Sequence, residues 1–443
     1  FLREVFSRDT QGDMGRAYTR SRYYHLYVDG VYWGLYMTQE RAEAAYGATY
    51  FGGDADDYDA LKSAGSAGGY NTEATDGSMT GAWRDLWNLT REQFSDPTLE
   101  RYMRMQGLNP DGTRNLEYPV LLDVRGLIDQ NLITFYTGNF DSPLSTFLNG
   151  ASNNWFGVRN RVTEDKGFVF FCHDGEHSMG VNGSQNINRI GPFYPGEQGV
   201  FNKSNPQYFH QDLAKTDEYK IEFADQVYRH FFNDGLLTAE QVAARVERRR
   251  AIVDKVIIAE SARWGDSKRS SPYDREDWEA EVTRLFSYTK SRTGTVFNQI
   301  KTAKLYPATT PPEFNRRGGV VDPGFVVQLV NETGDIYYTA DGSDPRMIGG
   351  AVNPAAVRLN GSTEDVTLFD VASSWSYLDD NSISGDAWKA ADYNDSSWAV
   401  GNGEFGYGDG DETTVVGFGD DSSNKYITTW FRKKFPVTRA GAF

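Results

Sequence analysis

Residues 139–176 gather oxygen-bearing side chains in an order that suits phosphoryl transfer from a nucleotide. Asn139 and Asp141 stand on an Asn/Ser/Gly-rich stretch, Asn153 and Asn154 follow on the same stretch, and Asp174 and Glu176 close an apolar run, GFVFF. Such transfer needs oxygen ligands for Mg²⁺ or Mn²⁺, a carboxylate to orient the acceptor hydroxyl, and positive charge against the phosphates. A hard cation that keeps its waters is better served by an Asn and an Asp from separate loops than by a His/Cys cage. The flanking Phe140, Trp155 and Phe171 would keep the group half dry, where charges act more strongly.

Blander readings of the same residues stand beside this one. Asn, Asp and Gly are ordinary turn and cap residues. His173 and His177 bracket Glu176 with zinc-ligand types, but the string follows a strand and contains Gly175, whereas an HExxH zinc site lies on a helix. A glycosidase pair of Asp174 with Asp141 or Glu176 is defined by a carboxylate separation, which spacing along the chain leaves open. There is no GxSxG elbow, Walker loop or GxGxxG ahead of a helix. Cys172 sits inside the apolar strand and reads as a core residue rather than a nucleophile.

Several elements must position these groups. Leu2, Val5 and Phe6 share a face of an opening helix over residues 1–14. YYHLYV and VYWGLYMT, joined by Asp29-Gly30, form a hairpin. A short helix is expected over 40–50, a loop rich in Gly, Ser, Ala and Thr over 63–79, and helices over 80–90 and 123–136. Residues 138–160 and 178–206 read as irregular. Tyr219, Phe223, Val227 and Phe231 recur every four residues on one helix, and Thr238 to Gln241 reads as the capping box of the next, so 215–300 is a helical lobe. A Pro-rich linker at 306–312 precedes strand-like alternation. The expected class is α+β, followed by two small all-β domains.

With 443 residues, at roughly 150 residues per domain, about three domains are expected. A 39% hydrophobic and 14% aromatic content supports packed cores. The net charge of −17 repels a phosphate backbone, so nucleic acid is not an expected partner. The acidity instead suits an exported protein, or carboxylates that hold divalent cations. One cysteine excludes an internal disulfide and a Cys-built zinc site. No run of about 18 apolar residues offers a membrane span. FLREVFSRD at the start and FRKKFPVTRAGAF at the end read as cuts in a longer protein.

Taken together, SRYYHLYVDGVYWGLYMTQERAEAAY, GNFDSPLSTFLNGASNNWFGVRNR, GFVFFCHDGEHSM, FADQVYRHFFNDGLLT and AESARWGD resemble the CotH (spore-coat protein H) kinase family over residues 1–305. That resemblance implies an atypical protein-kinase fold that uses ATP and Mg²⁺ or Mn²⁺ to phosphorylate Ser/Thr of secreted, coat or surface proteins, and hence an extracellular or cell-surface location. It assigns Asp141 as the catalytic-loop Asp and Asn154 as the metal-binding Asn. Asp174 becomes the equivalent of the kinase DFG Asp. Where the family commonly has W-D-x-D, this chain has His173-Asp174-Gly175-Glu176, with Glu176 supplying the second metal carboxylate. The family's upstream strands and their phosphate-binding Lys would precede residue 1. Glu40, Arg41 and Lys62 are expected to line the nucleotide cleft, with a surface salt-bridge network as the alternative.

IYYTADGSDPR, with Asp341, Asp344 and Pro345 in its turns, resembles the Ig-like module C-terminal in chitobiases and is assigned residues 313–362. Residues 366–443 resemble the opening of a galactose-binding-like jelly roll. There Asp409, Asp411 and Glu412 are a candidate Ca²⁺ site or a solvated acidic turn, and Trp375, Trp388 and Trp398 are expected in the core. Two rival readings follow: a pseudokinase scaffold or adhesin presenting β modules to polysaccharide or matrix, and a carbohydrate-active hydrolase.

Overall fold

The computed structural model describes residues 1–443 apart from 67–68, 164, 182–184, 323, 332, 360–369 and 435–443. Two units emerge, one of Phe1–Pro311 with Tyr337–Val357, the other of Pro312–Ile336 with Arg358–Phe443. The first opens with α1 (Leu2–Asp13) and the hairpin of β1 (Ser21–Val28) and β2 (Val31–Gln39). Asp29 and Gly30 have φ of 50° and 81°, the paired positive values whose twist matches the strands. After α2 (Ala44–Phe51) come β3 (Tyr58–Ser66), β4 (Gly69–Asp76), α3 (Arg84–Ser95), α4 (Leu99–Arg104) and α5 (Val124–Thr137). The middle of the unit holds β5 (Leu144–Ser145), β6 (Ala151–Ser152), β7 (Trp155–Asn160) and β8 (Val169–Cys172). Helices α6 (Pro195–Gln198), α7 (Pro206–Leu213), α8 (Asp217–Phe231), α9 (Ala239–Val253), α10 (Val256–Trp264) and α11 (Arg275–Thr302) complete it.

The central sheet runs β4-β3-β7-β8, every pair antiparallel. Side chains alternate across it as a pleat requires. Tyr58, Ala60, Phe156, Val158, Val169 and Phe171 pack with Tyr46 of α2 on one face. On the other, Leu61, Trp155 and Phe170 join Trp83 and the helical core. Both faces are therefore covered, which is why β7 is buried along its whole length and β8 reads as an unbroken apolar run rather than as alternation. Helix α5 lies beneath and all but one of its residues are buried, so it is enclosed on every side, with Asp129, Gln130 and Asn131 among the buried residues. Asp123 caps its start by accepting from Gly126 N–H at 2.9 Å, and Gly138 ends it at φ 61°.

The structure departs from sequence expectation in five places. Residues 63–79 were expected as loop, but β3 and β4 run through most of that stretch, and β7 lies in the irregular 138–160 stretch. Helix α6 and a 3₁₀ turn at Phe201–Lys203 interrupt the expected loop 178–206, and α7 follows directly, ahead of the helical lobe expected from residue 215. The short helix expected from residue 40 begins instead at Ala44. Thr238 does not form the expected capping box; its hydroxyl donates to the Gly235 carbonyl at 2.8 Å.

In the second unit Ser374–Leu378 pairs antiparallel with Ala399–Asn402 and with Trp430–Arg432, and Leu329–Val330 pairs with Glu313–Phe314. Trp398 is buried, while Trp375 and Trp388 are half-buried. The expected boundary between the two β modules, at 362–366, lies outside the described residues. No described helix is long and apolar enough to cross a membrane.

Candidate active site

Asp141 follows α5 on the turn that leads into β5, and it is buried. Its own N–H donates to Asn139 Oδ1 at 3.0 Å, which fixes the turn. One carboxylate oxygen accepts from the Ser145 hydroxyl and the other from Asn154 Nδ2 at 3.0 Å. Asn154, at φ 52°, precedes β7, and its carbonyl accepts from Ser142 Oγ at 2.5 Å. An Asn that donates through Nδ2 offers Oδ1 as its ligand atom. The small β5–β6 ladder thus brings Asp141 and Asn154 into contact.

Asp174 stands just past the end of β8, in the left-handed region at φ 49°. Asn139 Nδ2 reaches its carbonyl at 3.5 Å. Burial pushes the Asp174 carboxyl up to about 6; the negative charges of Glu4, Glu176 and Asp141 add to that, and His177 opposes it. Glu176 is exposed and lies 3.6 Å from His177 Nε2. The charges of Asp141 and Glu176 therefore both bear on Asp174. Among the described residues, no three acids that include one of them place their oxygens within 4.8 Å of one another.

His173, next to Asp174, sits in the opposite field. Burial pushes its imidazole down to about 4; Arg8, Arg41 and Lys62 push the same way, and Glu4 opposes. Lys62 projects from β3 and lies 3.9 Å from Glu43, which is 3.4 Å from Arg41. Arg41 stacks over Phe156 at 5.9 Å, and Phe156 meets His173 edge-on at 4.8 Å. Glu40 has other partners: Arg20 N–H at 2.7 Å and the Tyr50 hydroxyl. Glu43, not Glu40, is therefore the carboxylate beside Lys62. An acid one helical turn before α2 was visible in the sequence, but which of the two would face β3 depends on packing.

Sequence spacing gave no role to Glu4, Arg8 or Arg189. Glu4 accepts the backbone N–H groups of Asp174, at 3.3 Å, and of Gly175. Arg8 Nε bonds Glu4 at 2.6 Å. Arg189 donates to the Leu144 carbonyl and bears on the loop that carries Asp141; burial pulls its guanidinium down to about 10, with Tyr194 and Asp141 opposing. Cys172, the last residue of β8, is buried, and burial pushes its thiol up to about 12, as befits an inert core residue.

The donor set fits a hard divalent cation. Asn154 Oδ1, Asp174 and Glu176 carry oxygen donors of the kind such a cation takes, and Asp174 lies in an excess of negative charge that a cation would relieve. In the second unit Asp409, Asp411 and Glu412 do bring carboxylate oxygens within 4.8 Å of one another. Glu412 also accepts from the N–H of Gly410 at 3.0 Å, as an acidic turn does.

A scan against family models matches the chain to the CotH kinase protein family over residues 1–296. A search of curated proteins found no match.

Proposed function

The chain belongs to the CotH kinase family, and from that premise we propose that it binds ATP with Mg²⁺ or Mn²⁺ and transfers the γ-phosphoryl group to a Ser or Thr hydroxyl. One observation carries the reading. Asp141 accepts from Asn154 Nδ2 at 3.0 Å and its charge, with that of Glu176, bears on Asp174, whereas Lys62 on the adjoining strand β3, 3.9 Å from Glu43, and Arg41 bring positive charge to the neighbouring His173. A metal–nucleotide complex needs that division, cations against phosphate and carboxylates against metal. Lys62, on the central strand β3, is the candidate for the phosphate-neutralising lysine. Asn154, Asp174 and Glu176 would hold the cation, which would shield the phosphate oxygens as charge shifts in transfer.

The protein's own residues do the rest. Asp141, its oxygens fixed by Ser145 and Asn154, orients the acceptor hydroxyl and accepts its proton. The acceptor oxygen bonds the γ-phosphorus as the β,γ-bridging oxygen leaves with ADP. Secreted or surface proteins are the proposed acceptors, outside the cell, on the strength of the family resemblance. In the same reading the Ig-like and jelly-roll-like segments serve as spacers or polysaccharide-binding modules, with Ca²⁺ at Asp409, Asp411 and Glu412.

Calorimetric titration of the full chain with ATP, with and without Mn²⁺, tests the core of this reading. Binding should strengthen with Mn²⁺, Asp174→Ala should remove that increment, and Lys62→Met should weaken binding about tenfold or more, as loss of a charged hydrogen bond does. A wild-type chain that bound no nucleotide with either metal would end the kinase reading.

A further inference from the structure

Asp174 is a non-glycine residue at φ 49°, a conformation that is unfavourable unless its surroundings impose it. The imposing group is Glu4. Its carboxylate accepts the successive N–H groups of Asp174 and Gly175, the arrangement in which adjacent amides cradle an anion. Gly175 lets α1 come this close: a Cβ there would lie 3.1 Å from Ser7 Oγ and 3.3 Å from Glu4 Oε2. Glu4 is buried and held in turn by Arg8 Nε at 2.6 Å. Arg8, 1% exposed, spreads its remaining donors over the Thr19 hydroxyl, the Gln39 side-chain carbonyl, the Glu40 carbonyl at 3.5 Å and His173 Nδ1 at 2.9 Å. One guanidinium therefore ties the root of the β1–β2 hairpin to the end of β8, through the residue that grips the Asp174 turn. Asp9, on the same helix, is clamped by Arg249 of α9 through two bonds of 2.6 Å, so α1 has a fixed base to work from.

We propose that Glu4 and Arg8 are positioning residues, through which α1 presents the Asp174 carboxylate to the metal–nucleotide complex and couples that carboxylate to the hairpin. The inference rests on the proposed kinase function, because it takes Asp174 as the metal ligand. Neither residue touches substrate. If the pair merely stabilised the fold, its loss would weaken every ligand interaction alike; a positioning role confines the loss to the metal-dependent part.

Two measurements on the full chain separate these cases, each on Glu4→Gln and, as controls on folding and geometry, Glu4→Asp and Arg8→Lys. In the absence of nucleotide, hydrogen exchange at the amides of Asp174 and Gly175 should quicken about tenfold or more in Glu4→Gln, while the amides of β3 and β7 keep their protection. In calorimetry, Mn²⁺-dependent ATP affinity should fall about tenfold, with metal-free ATP affinity within about twofold of wild type. The conservative variants should fall between Glu4→Gln and wild type in both. Unchanged exchange would overturn the proposal, as would quickened exchange with unchanged Mn²⁺-dependent affinity, or an equal loss with and without metal. A wild-type chain that bound no nucleotide would remove the kinase reading and the metal role with it, and the exchange measurement would still decide whether Glu4 holds the turn.

Discussion

Asp141 has both carboxylate oxygens engaged before any substrate arrives, one by the Ser145 hydroxyl and one by Asn154 Nδ2. Those bonds fix its orientation without neutralising it, which suits a group that must meet an acceptor hydroxyl in one geometry. Asp141→Asn keeps the shape but cannot accept the proton. The expected outcome is phosphoryl transfer slowed about a hundredfold or more, with Mn²⁺·ATP affinity within about twofold of wild type. Radiolabel transfer to a Ser/Thr-containing acceptor, set beside calorimetry, checks both halves. Comparable transfer by Asp141→Asn and wild type would move the proton-accepting role elsewhere. The Asp141–Asn154 contact joins residues that the sequence separates by a Gly/Asn-rich stretch; their types were legible there, and their meeting was not, because the β5–β6 ladder that folds them together is only two residues long on each side.

At the scale of elements, α7 and α8 meet across His210, which is enclosed by Phe135, Phe223 and Tyr219 and shares a hydrogen bond with the Tyr219 hydroxyl at 2.7 Å. Burial pulls its imidazole down to about 3. The folded pKa is thus below the unfolded value near 6.5, so above pH 6.5 both states are neutral and nothing is lost. As pH falls below 6.5 the unfolded chain takes up the proton first, and stability drains away down towards pH 3. His210→Gln should start less stable at pH 8, yet lose about 3 kcal/mol less than wild type between pH 7 and pH 4. Thermal unfolding of both proteins across that range measures it, and parallel curves would count against a neutral buried imidazole. Legibility followed packing at this scale too. The hairpin was readable from Asp29-Gly30, and α8 from its four-residue apolar repeat, since each carries its signal locally. Strand β3 was not: its Ala64, Gly65 and Ser66 are small residues with little strand signal, and its central place depends on partners far along the chain. Helix α7 had a readable start, because Asn205 accepts from the N–H groups of Gln207 and Tyr208 with Pro206 in the first turn, but its polar neighbours masked it. The Glu4–Arg8 spacing was in plain view on α1; only the structure places both inside the core rather than on a solvated face.

At the scale of the molecule, the candidate site draws all its residues from positions 4 to 189, while the first unit also recruits Tyr337–Val357 from far along the chain. That segment attaches to the outer side of α8. Arg346 pairs with Asp225 and Asp344, the Gly349 N–H donates to Glu218 at 2.8 Å, and Ile348 borders a cleft of about 440 Å³ between α4, α5 and α8. The ion pairs are half-exposed, and pairs of this kind contribute about 0–1 kcal/mol each. None of the groups acting on Asp141, Asp174 or His173 belongs to the segment. A chain ending at Pro311 should therefore keep the fold of α1 to α11, with a melting temperature lowered by only about 2–4 °C. Its Mn²⁺-dependent ATP affinity should stay within about twofold of the full chain, because Lys62, Asp174 and the α1 clamp are untouched. Scanning calorimetry and titration of the shortened chain test both statements. Loss of nucleotide binding in a shortened chain that still unfolds cooperatively would show instead that the tail segment shapes the site through α8.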